Sequence, residues 1–575
     1  MYIKALFFLR SIIEKNILIF FLLILLSPIS LLAGPDDGSF ISFSTLFESG
    51  PTSEKYNIVI MGDGFTSSEQ NAYNRKVLQL CSKLFNTHPF SSMKCAINFY
   101  RMNIASIDSG VDKPGSCGDD AGSGTTVNKR TPLDATYCWN GGPQRCVFGS
   151  RDMVRSYLND HTPLALGARN VVVYVLVNDT EHGGCASGGM TFGSIGSGFE
   201  NTFIHELGHA MFNLADEYDY GNEGPFTGSE PARVNITAQQ RNIKWSDLIL
   251  GTTNLPTGTC INDVEDSNGS EIVGIFEGAN YHDCGIYRPQ FNCKMRQSQQ
   301  PFCSVCRRQA IRVLKDYTCQ TSSYKFTNLL IRDDSESWPR GDGEIYFHYT
   351  LQNGGTSISR RWPGSSGDRD FDDGQSRNLD NFFAGSLPVG GSTSLNVRMR
   401  ENDWPDGDDV IENDATQTIS SSGNFEINES DWRLRGTAIN ANYHVLLDFI
   451  HIKNDMDNWA AGAGDIYINY TITAGSEEVK GRWPSGGNIG IDSGDAKEIG
   501  KLGGVVALPS NSGEVKIKIR VMDADSWFTG SDDLIGQDEY IFRNTNRFGI
   551  NETTHIFDKN NYRITLSMYL SEGTN

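Results

Sequence analysis

The sequence predicts a mixed α/β unit over residues 40–320, followed by two all-β antiparallel sandwiches over 323–437 and 438–575. Three observations carry this reading. In the first half, continuous apolar runs at 56–61 and 170–177 alternate with stretches of helical period, the pattern of buried central strands served by helices. All twelve cysteines lie between Cys81 and Cys319, and none follows, which marks a boundary near residue 320. The second half repeats itself. Residues 338–350 match 459–471, Arg361-Trp362-Pro363 matches Arg482-Trp483-Pro484, Val397-Arg398-Met399 matches Ile519-Arg520-Val521, and Ile427-Asn428-Glu429 matches Ile550-Asn551-Glu552. Matches that hold one spacing through a unit of roughly 120 residues mean a tandem duplication. Each copy alternates strand-like runs with Gly, Asp and Pro turns, as antiparallel sandwiches do. Within 40–320, helices are expected at 68–85, 151–160 and 201–212.

The 575 residues carry 49 basic and 70 acidic side chains, a net charge of −21. So acidic a chain is a poor ligand for nucleic acid, and none is expected as a partner. An aromatic content of 11% excludes a collagen-like or disordered chain. Residues 1–33 stand apart. Lys4, Arg10 and Lys15 accompany an apolar run over 17–26, and Ser27-Pro28-Ile29-Ser30-Leu31-Leu32 leads to Ala33, a cleavage position with Leu31 where a small residue is usual. This is the order of a secretory signal peptide and predicts a secreted, extracellular protein. In an exported chain an even number of cysteines reads as disulfides, here up to six, with the connectivity open. Cys303-Ser304-Val305-Cys306 has a second reading, as half of a zinc knuckle. Of six Asn-X-Ser/Thr sites, Asn235-Ile236-Thr237 is one; they matter only where the source glycosylates.

The chemistry concentrates in His205-Glu206-Leu207-Gly208-His209. On a helix, two residues four apart share one face about one turn apart, so both imidazoles reach one zinc ion. Glu206 then stands where it can take a proton from water that zinc activates. A catalytic zinc needs a third protein ligand. Asn213 tolerates the left-handed conformation that ends helices, and a turn there brings Asp216 or Glu217 back to the metal. Asp216 is the expected ligand, because Asp reaches zinc through one oxygen from a turn; Glu217 is the alternative. The metzincin spacing would put a histidine at 215, where Ala215 stands.

These residues, with Leu214-Ala215-Asp216-Glu217-Tyr218, resemble the IgA-peptidase family of zinc metallopeptidases (family M-sixty-four). So do residues 57–66 followed by Glu69-Gln70, residues 106–114, and Cys293-Lys294-Met295 with Phe302-Cys303-Ser304-Val305-Cys306. The resemblance spans about residues 50–320. It implies a zincin-like catalytic domain and an extracellular zinc endopeptidase with two His ligands and an acidic third ligand. Asn213 departs from the Gly expected in relatives, yet makes the same turn. The family name comes from immunoglobulin cleavage, which no residue here demonstrates. An edge strand ahead of the zinc helix, in the region 171–189, is expected to bind substrate by strand addition. Met295 is a candidate floor beneath the zinc, and Tyr218 or Tyr220 a candidate oxyanion stabiliser.

Acidic loops in the repeats resemble the calcium loops of C2-type sandwiches. In the second copy Asp523, Asp525, Asp532 and Asp533 belong to one loop, and Asp455 and Asp457 to another. Calcium takes six to eight oxygens, which two such loops supply together. Zinc is therefore the expected catalytic cofactor and calcium a second one. The leading function is a secreted zinc metalloendopeptidase that hydrolyses peptide bonds in protein substrates, with Glu206 as general base. The repeats would bind a cell-surface or extracellular ligand. The alternative is a catalytically inactive secreted adhesin whose sandwiches bind calcium; the intact His205, Glu206 and His209 speak against it.

Overall fold

The computed structural model describes residues 37–118, 124–221, 224–260, 271–318, 321–333, 343–353, 356–363, 368–388, 392–402, 409–411, 414–455, 464–475, 477–507, 513–524, 532–550 and 554–571. The signal-like segment 1–33, Asp457 and Asp525 lie outside them. Among the described residues, no helix is long and apolar enough to cross a membrane.

The first half is built on a six-stranded sheet. Its strands are β1 (Gly38–Phe47), β2 (Tyr56–Asp63), β3 (Ile97–Ser106), β4 (Val171–Val177), β5 (Gly184–Ser187) and β6 (Met190–Ser194), in the order β1-β3-β2-β4-β6-β5. The pairs of β2 with β3, β2 with β4 and β4 with β6 are parallel, while β1 and β5 close the two edges antiparallel. Every residue of β2 and β4 is buried, which is why their sequences read as unbroken apolar runs and not as alternation. Helices α1 (Gln70–Phe85), α2 (Arg151–His161) and α3 (Phe199–Phe212) fall where expected. A fourth, α4 (Ser304–Leu314), was not foreseen. A short hairpin, β7 (Phe276–Ala279) with β8 (His282–Arg288), completes the unit.

The family-like turns at the carboxyl ends of the central strands interlock. Gly110 N donates to Gly64 O, the Asn178 side-chain amide donates to Gly64 O, and Ser109 Oγ donates to Glu69 Oε1 at 2.8 Å. Asp63, fully buried, accepts from Thr131 Oγ1, Leu133 N and Ala135 N. Burial lifts its carboxyl to about 6 against those three bonds.

Residues 321–571 are all strand apart from one short helical turn among the described residues. The first repeat encloses a core of Tyr324, Phe347, Trp362, Val397, Trp432 and their neighbours. The second encloses another, including Val445, Ile468, Ile519 and Leu566. The two repeats are not separate beads. Strand Ser376–Pro388 of the first pairs in parallel with Glu477–Trp483 of the second at Phe382 and Lys480, and one nine-stranded sheet runs through both. Lys325 Nζ meets Glu477 Oε2 at 2.9 Å across this seam.

The second repeat also packs against the first half. Leu446 and Tyr569 share one core with Val305, Ala310 and Ile311 of α4. Arg307 lies 4.3 Å from the Phe449 ring centroid. His88 Nε2 and Asp448 Oδ1 meet at 2.7 Å, both buried, and Ser567 Oγ donates to the other Asp448 oxygen at 2.6 Å. Removing one member of such a pair leaves polar groups buried without a partner. Asp448→Ala is therefore expected to cost about 3 kcal/mol of stability, read from urea unfolding of the whole chain. A loss below about 0.5 kcal/mol would show the pair to be incidental.

Candidate metal site

Helix α3 is apolar on almost every face. Phe203, Ile204, Leu207, Met211 and Phe212 are buried, so the helix is held on several sides and its polar residues share the remaining stripe. Gly208 is needed for the fit. A Cβ there would lie 2.6 Å from Met295 Sδ, so glycine lets the Met295 thioether pack against the helix without shifting. Met295 is fully buried in the same core. The helix stops at Asn213, whose φ of 57° and ψ of 38° are left-handed, with its N–H turned back to His209 O.

That turn returns the chain to the two histidines. His205 Nε2 and His209 Nε2 are 3.1 Å apart, and Asp216 Oδ1 lies 3.1 Å from the first and 3.2 Å from the second. Three ligand atoms each about 2.0–2.1 Å from zinc in a tetrahedron would be about 3.3 Å apart, so the observed triangle fits one such ion. The tautomers agree. His205 Nδ1 donates to Lys294 O and His209 Nδ1 to Leu214 O, each at 2.8 Å. Both Nε2 lone pairs therefore face inward, the arrangement that outer hydrogen bonds impose on metal-binding histidines. Tyr281 Oη donates to Asp216 Oδ2 at 2.6 Å, leaving Oδ1 to the triangle. Sequence reasoning did not find Tyr281, because it stands 65 residues from its partner.

The alternative acid does not join. Glu217 turns away from the histidines. Its Oε1 accepts from Asn235 Nδ2 at 2.8 Å and from Cys306 Sγ at 3.2 Å. Asn235 also clamps Ala215 through both its N–H and its C=O. Asn235 is fully buried, so this Asn-X-Thr site is closed to a glycan in the folded chain.

Glu206 sits beside the triangle, 5% exposed, and its Oε2 has no hydrogen-bond partner. Burial raises its carboxyl above the ordinary range, and His209 and His205 partly offset this. A Cβ on Gly184 would lie 2.7 Å from Glu206 Oε1; glycine lets edge strand β5 run directly against the carboxylate. Arg145, His182, Gly184, Thr202, His205, Glu206, Tyr218, Arg296 and Ser298 line a cavity of about 160 Å³. Arg145 lies 5.3 Å from the ring centroids of both Tyr218 and Tyr220. Its position follows from the Cys146–Cys185 disulfide, which ties its loop to β5, and from Gly184 N donating to Arg145 O. No local motif announces Arg145.

The cysteines differ from expectation. Cys117–Cys138, Cys146–Cys185 and Cys260–Cys284 are bridged and Cys95 is disulfide-bonded, but Cys81, Cys293, Cys303 and Cys306 are free thiols. Six bridges are therefore not formed; burial of three of these thiols beside Glu217 separates them from the disulfide pattern. At the expected calcium loops, Asp455 and Asp523 approach each other across Gly464. Asp455 accepts from Ser493 N and Asp523 from Asp465 N. Asp532 accepts instead from Tyr467 Oη, and Asp533 is exposed at the start of its strand.

A mixed sheet thus carries a largely buried His–His–Asp triangle, a group that could hold a metal ion, beside a glutamate with an unpartnered oxygen. The family profile described as IgA Peptidase M64 matches residues 44–269 and 259–314. The match supports that family, a family of metallopeptidases, for the first half of the chain. No curated protein matches. Thirty-two solved chains do. Human GIVD cytosolic phospholipase A2 is 9% identical over 44% of this chain and 32% of its own, at a TM-score of 0.19. The paired C2 domains of Extended-Synaptotagmin 2, in their calcium-bound form, are 10% identical over 44% of this chain and 96% of theirs, at 0.18. The chain thus spans about a third of the length of the phospholipase. Scores this low define neither a shared fold nor a shared function.

Two outcomes follow from the geometry. Tyr281→Phe frees Asp216 to rotate and is expected to weaken metal affinity about 10–100-fold, measured by competition with a chromogenic chelator. Without metal, burial works against a charged His209, but Asp216 holds its pKa up to about 9, against an ordinary 6.5. That contribution to stability is fully present below about 6.5 and is lost as pH rises through about 9. Metal binding must expel the same proton, so affinity is expected to climb over that window. A pH-independent affinity would contradict the assignment.

Proposed function

We propose that the protein is a secreted zinc metalloendopeptidase. The observation that carries this reading is the convergence of His205, His209 and Asp216 on one point, with the unpartnered Glu206 carboxylate and edge strand β5 beside it. Zinc, when bound there, supplies Lewis acidity that acidifies water and polarises a carbonyl. His205, His209 and Asp216 would hold it. Glu206 takes the proton of the attacking water; its buried, raised carboxyl is suited to accept a proton and then pass it to the leaving amine. A peptide adding to β5 would lie antiparallel along that edge beyond Gly184, whose own N–H is given to Arg145 O. Gly184 keeps that edge close enough to bring a scissile bond to Glu206. Arg145, which lines the same cavity, would stabilise negative charge on the carbonyl oxygen. Tyr218 lines the same cavity against Arg145, and burial with the Asp216 charge raises its hydroxyl's pKa, which keeps it protonated and able to donate as well.

The signal-like segment 1–33 and the disulfides support export. Glu206→Gln is expected to keep zinc while lowering kcat/KM on a casein-type substrate by about 10²–10⁴-fold, measured beside metal content. Arg145→Ala should retain zinc and lower kcat by about 10²-fold with little change in KM. Unchanged proteolysis in Glu206→Gln would end the reading.

A further inference from the structure

The three free thiols of 293–306 meet Glu217 on the far side of the Asp216 turn. Glu217, Cys293 and Cys306 are fully buried and Cys303 is 1% exposed. One ligand atom from each lies within 4.8 Å of every other. Cys293 Sγ and Cys306 Sγ are 3.7 Å apart; Glu217 Oε1 is 3.2 Å from Cys306 Sγ and 3.9 Å from Cys303 Sγ. Zinc–sulfur bonds of about 2.3 Å and zinc–oxygen bonds of about 2.0–2.2 Å in a tetrahedron require about 3.8 Å between sulfurs and about 3.5 Å between sulfur and oxygen. We propose that Glu217, Cys293, Cys303 and Cys306 bind a second zinc ion, structural and separate from the catalytic one.

The surroundings suit thiolates bound to a metal. Cys293 Sγ accepts from Cys303 N at 3.3 Å and Met295 N at 3.5 Å, and Cys303 Sγ accepts from Cys306 N at 3.4 Å. Backbone amides so aimed share the charge of ligating sulfur. Cys303 is the N-cap of α4 and Cys306 lies in its first turn, where the helix dipole favours anions. Glu217 Oε2 is buried with no hydrogen-bond partner, a cost that four acids packed together cannot relieve among themselves. A disulfide between any two thiols would leave the third beside this carboxylate. A cation relieves all four at once, and soft thiolates in tetrahedral disposition select zinc among common divalent ions. Binding expels the thiol and carboxyl protons to solvent. Four protein ligands leave no open position, so this ion does no chemistry.

Its role is to fasten the active site. The ion would tie residue 217 to the segment 293–306, alongside the bond from Glu217 N to Met295 O at 2.8 Å. Residue 216 is the third catalytic ligand, and Lys294 O orients His205. Both anchors therefore hang from the proposed ion.

The test uses the full chain purified with zinc, the His205→Ala/His209→Ala variant, and X-ray absorption at the zinc edge. The expected result is two zinc ions per parent chain, and one in the variant, with a sulfur-dominated shell. Cys303→Ser/Cys306→Ser should lose that ion. Because this variant can misfold, the parent is also alkylated: Cys293, Cys303 and Cys306 should resist until a strong chelator is added, while non-reducing peptide maps show them unbridged. Failure of the catalytic reading alone would leave the sulfur-bound zinc in place. A zinc-free double His variant, a shell of nitrogen and oxygen only, or a disulfide among the three cysteines overturns the proposal.

Discussion

The site depends on one turn. Asn213 takes a left-handed conformation that ends α3, and the chain doubles back within four residues. Successive side chains of an extended segment point opposite ways. Asp216 therefore faces the two histidines, while Glu217 faces the thiols and Asn235. Had the helix run one turn further, neither carboxylate would reach its partners. The buried Asn235 holds this geometry by satisfying both backbone groups of Ala215, which otherwise would be stranded away from water.

Around that turn, functional groups are placed by contacts distant in sequence. The His205 ring is set by a carbonyl 89 residues away, and Asp216 by a tyrosine 65 residues away. Arg145 is brought to β5 by a disulfide. Each partner sits on a segment already fixed by something else: Lys294 beside the buried Met295, Tyr281 in the β7–β8 hairpin, Arg145 by its bridged neighbour. Preorganisation of this kind keeps three ligand atoms converged at low entropic cost at the moment of binding.

The sequence made the local parts legible and the distant parts not. The helix, its two histidines, the stop at Asn213 and the return of Asp216 all follow from spacing over a dozen residues. Glu217 was legible as a nearby acid, but not its direction, since that depends on thiols beyond residue 290. The same thiols were read with the other cysteines as bridges; a CxxC beside paired cysteines looks alike either way until burial separates them. Helix α4 escaped because Arg307, Arg308 and Arg312 interrupt its apolar period, yet Arg307 and Arg308 are buried, in ion pairs with Glu271 and Asp247. The duplication was legible from repeated Trp-Pro and strand motifs. The sheet that fuses the two copies was not, because main-chain pairing at Phe382 and Lys480 leaves no side-chain signature.

The second repeat is more than an appendage of the catalytic half. It completes a core: Leu446 and Tyr569 pack with Val305, Ala310 and Ile311, and Phe449 meets the Arg307 guanidinium. These are residues of α4, whose first turn carries Cys306 and whose cap is Cys303. A packed helix transmits position with little slack. The line from the repeat through α4 to Glu217, and so to Asp216, is thus one of support. Interfaces between independent domains are usually modest and polar; a shared apolar core with a buried His88–Asp448 pair binds the two halves as one folding unit. The accessory repeats would then aid catalysis first by holding the metal ligands still, whatever surface they also bind.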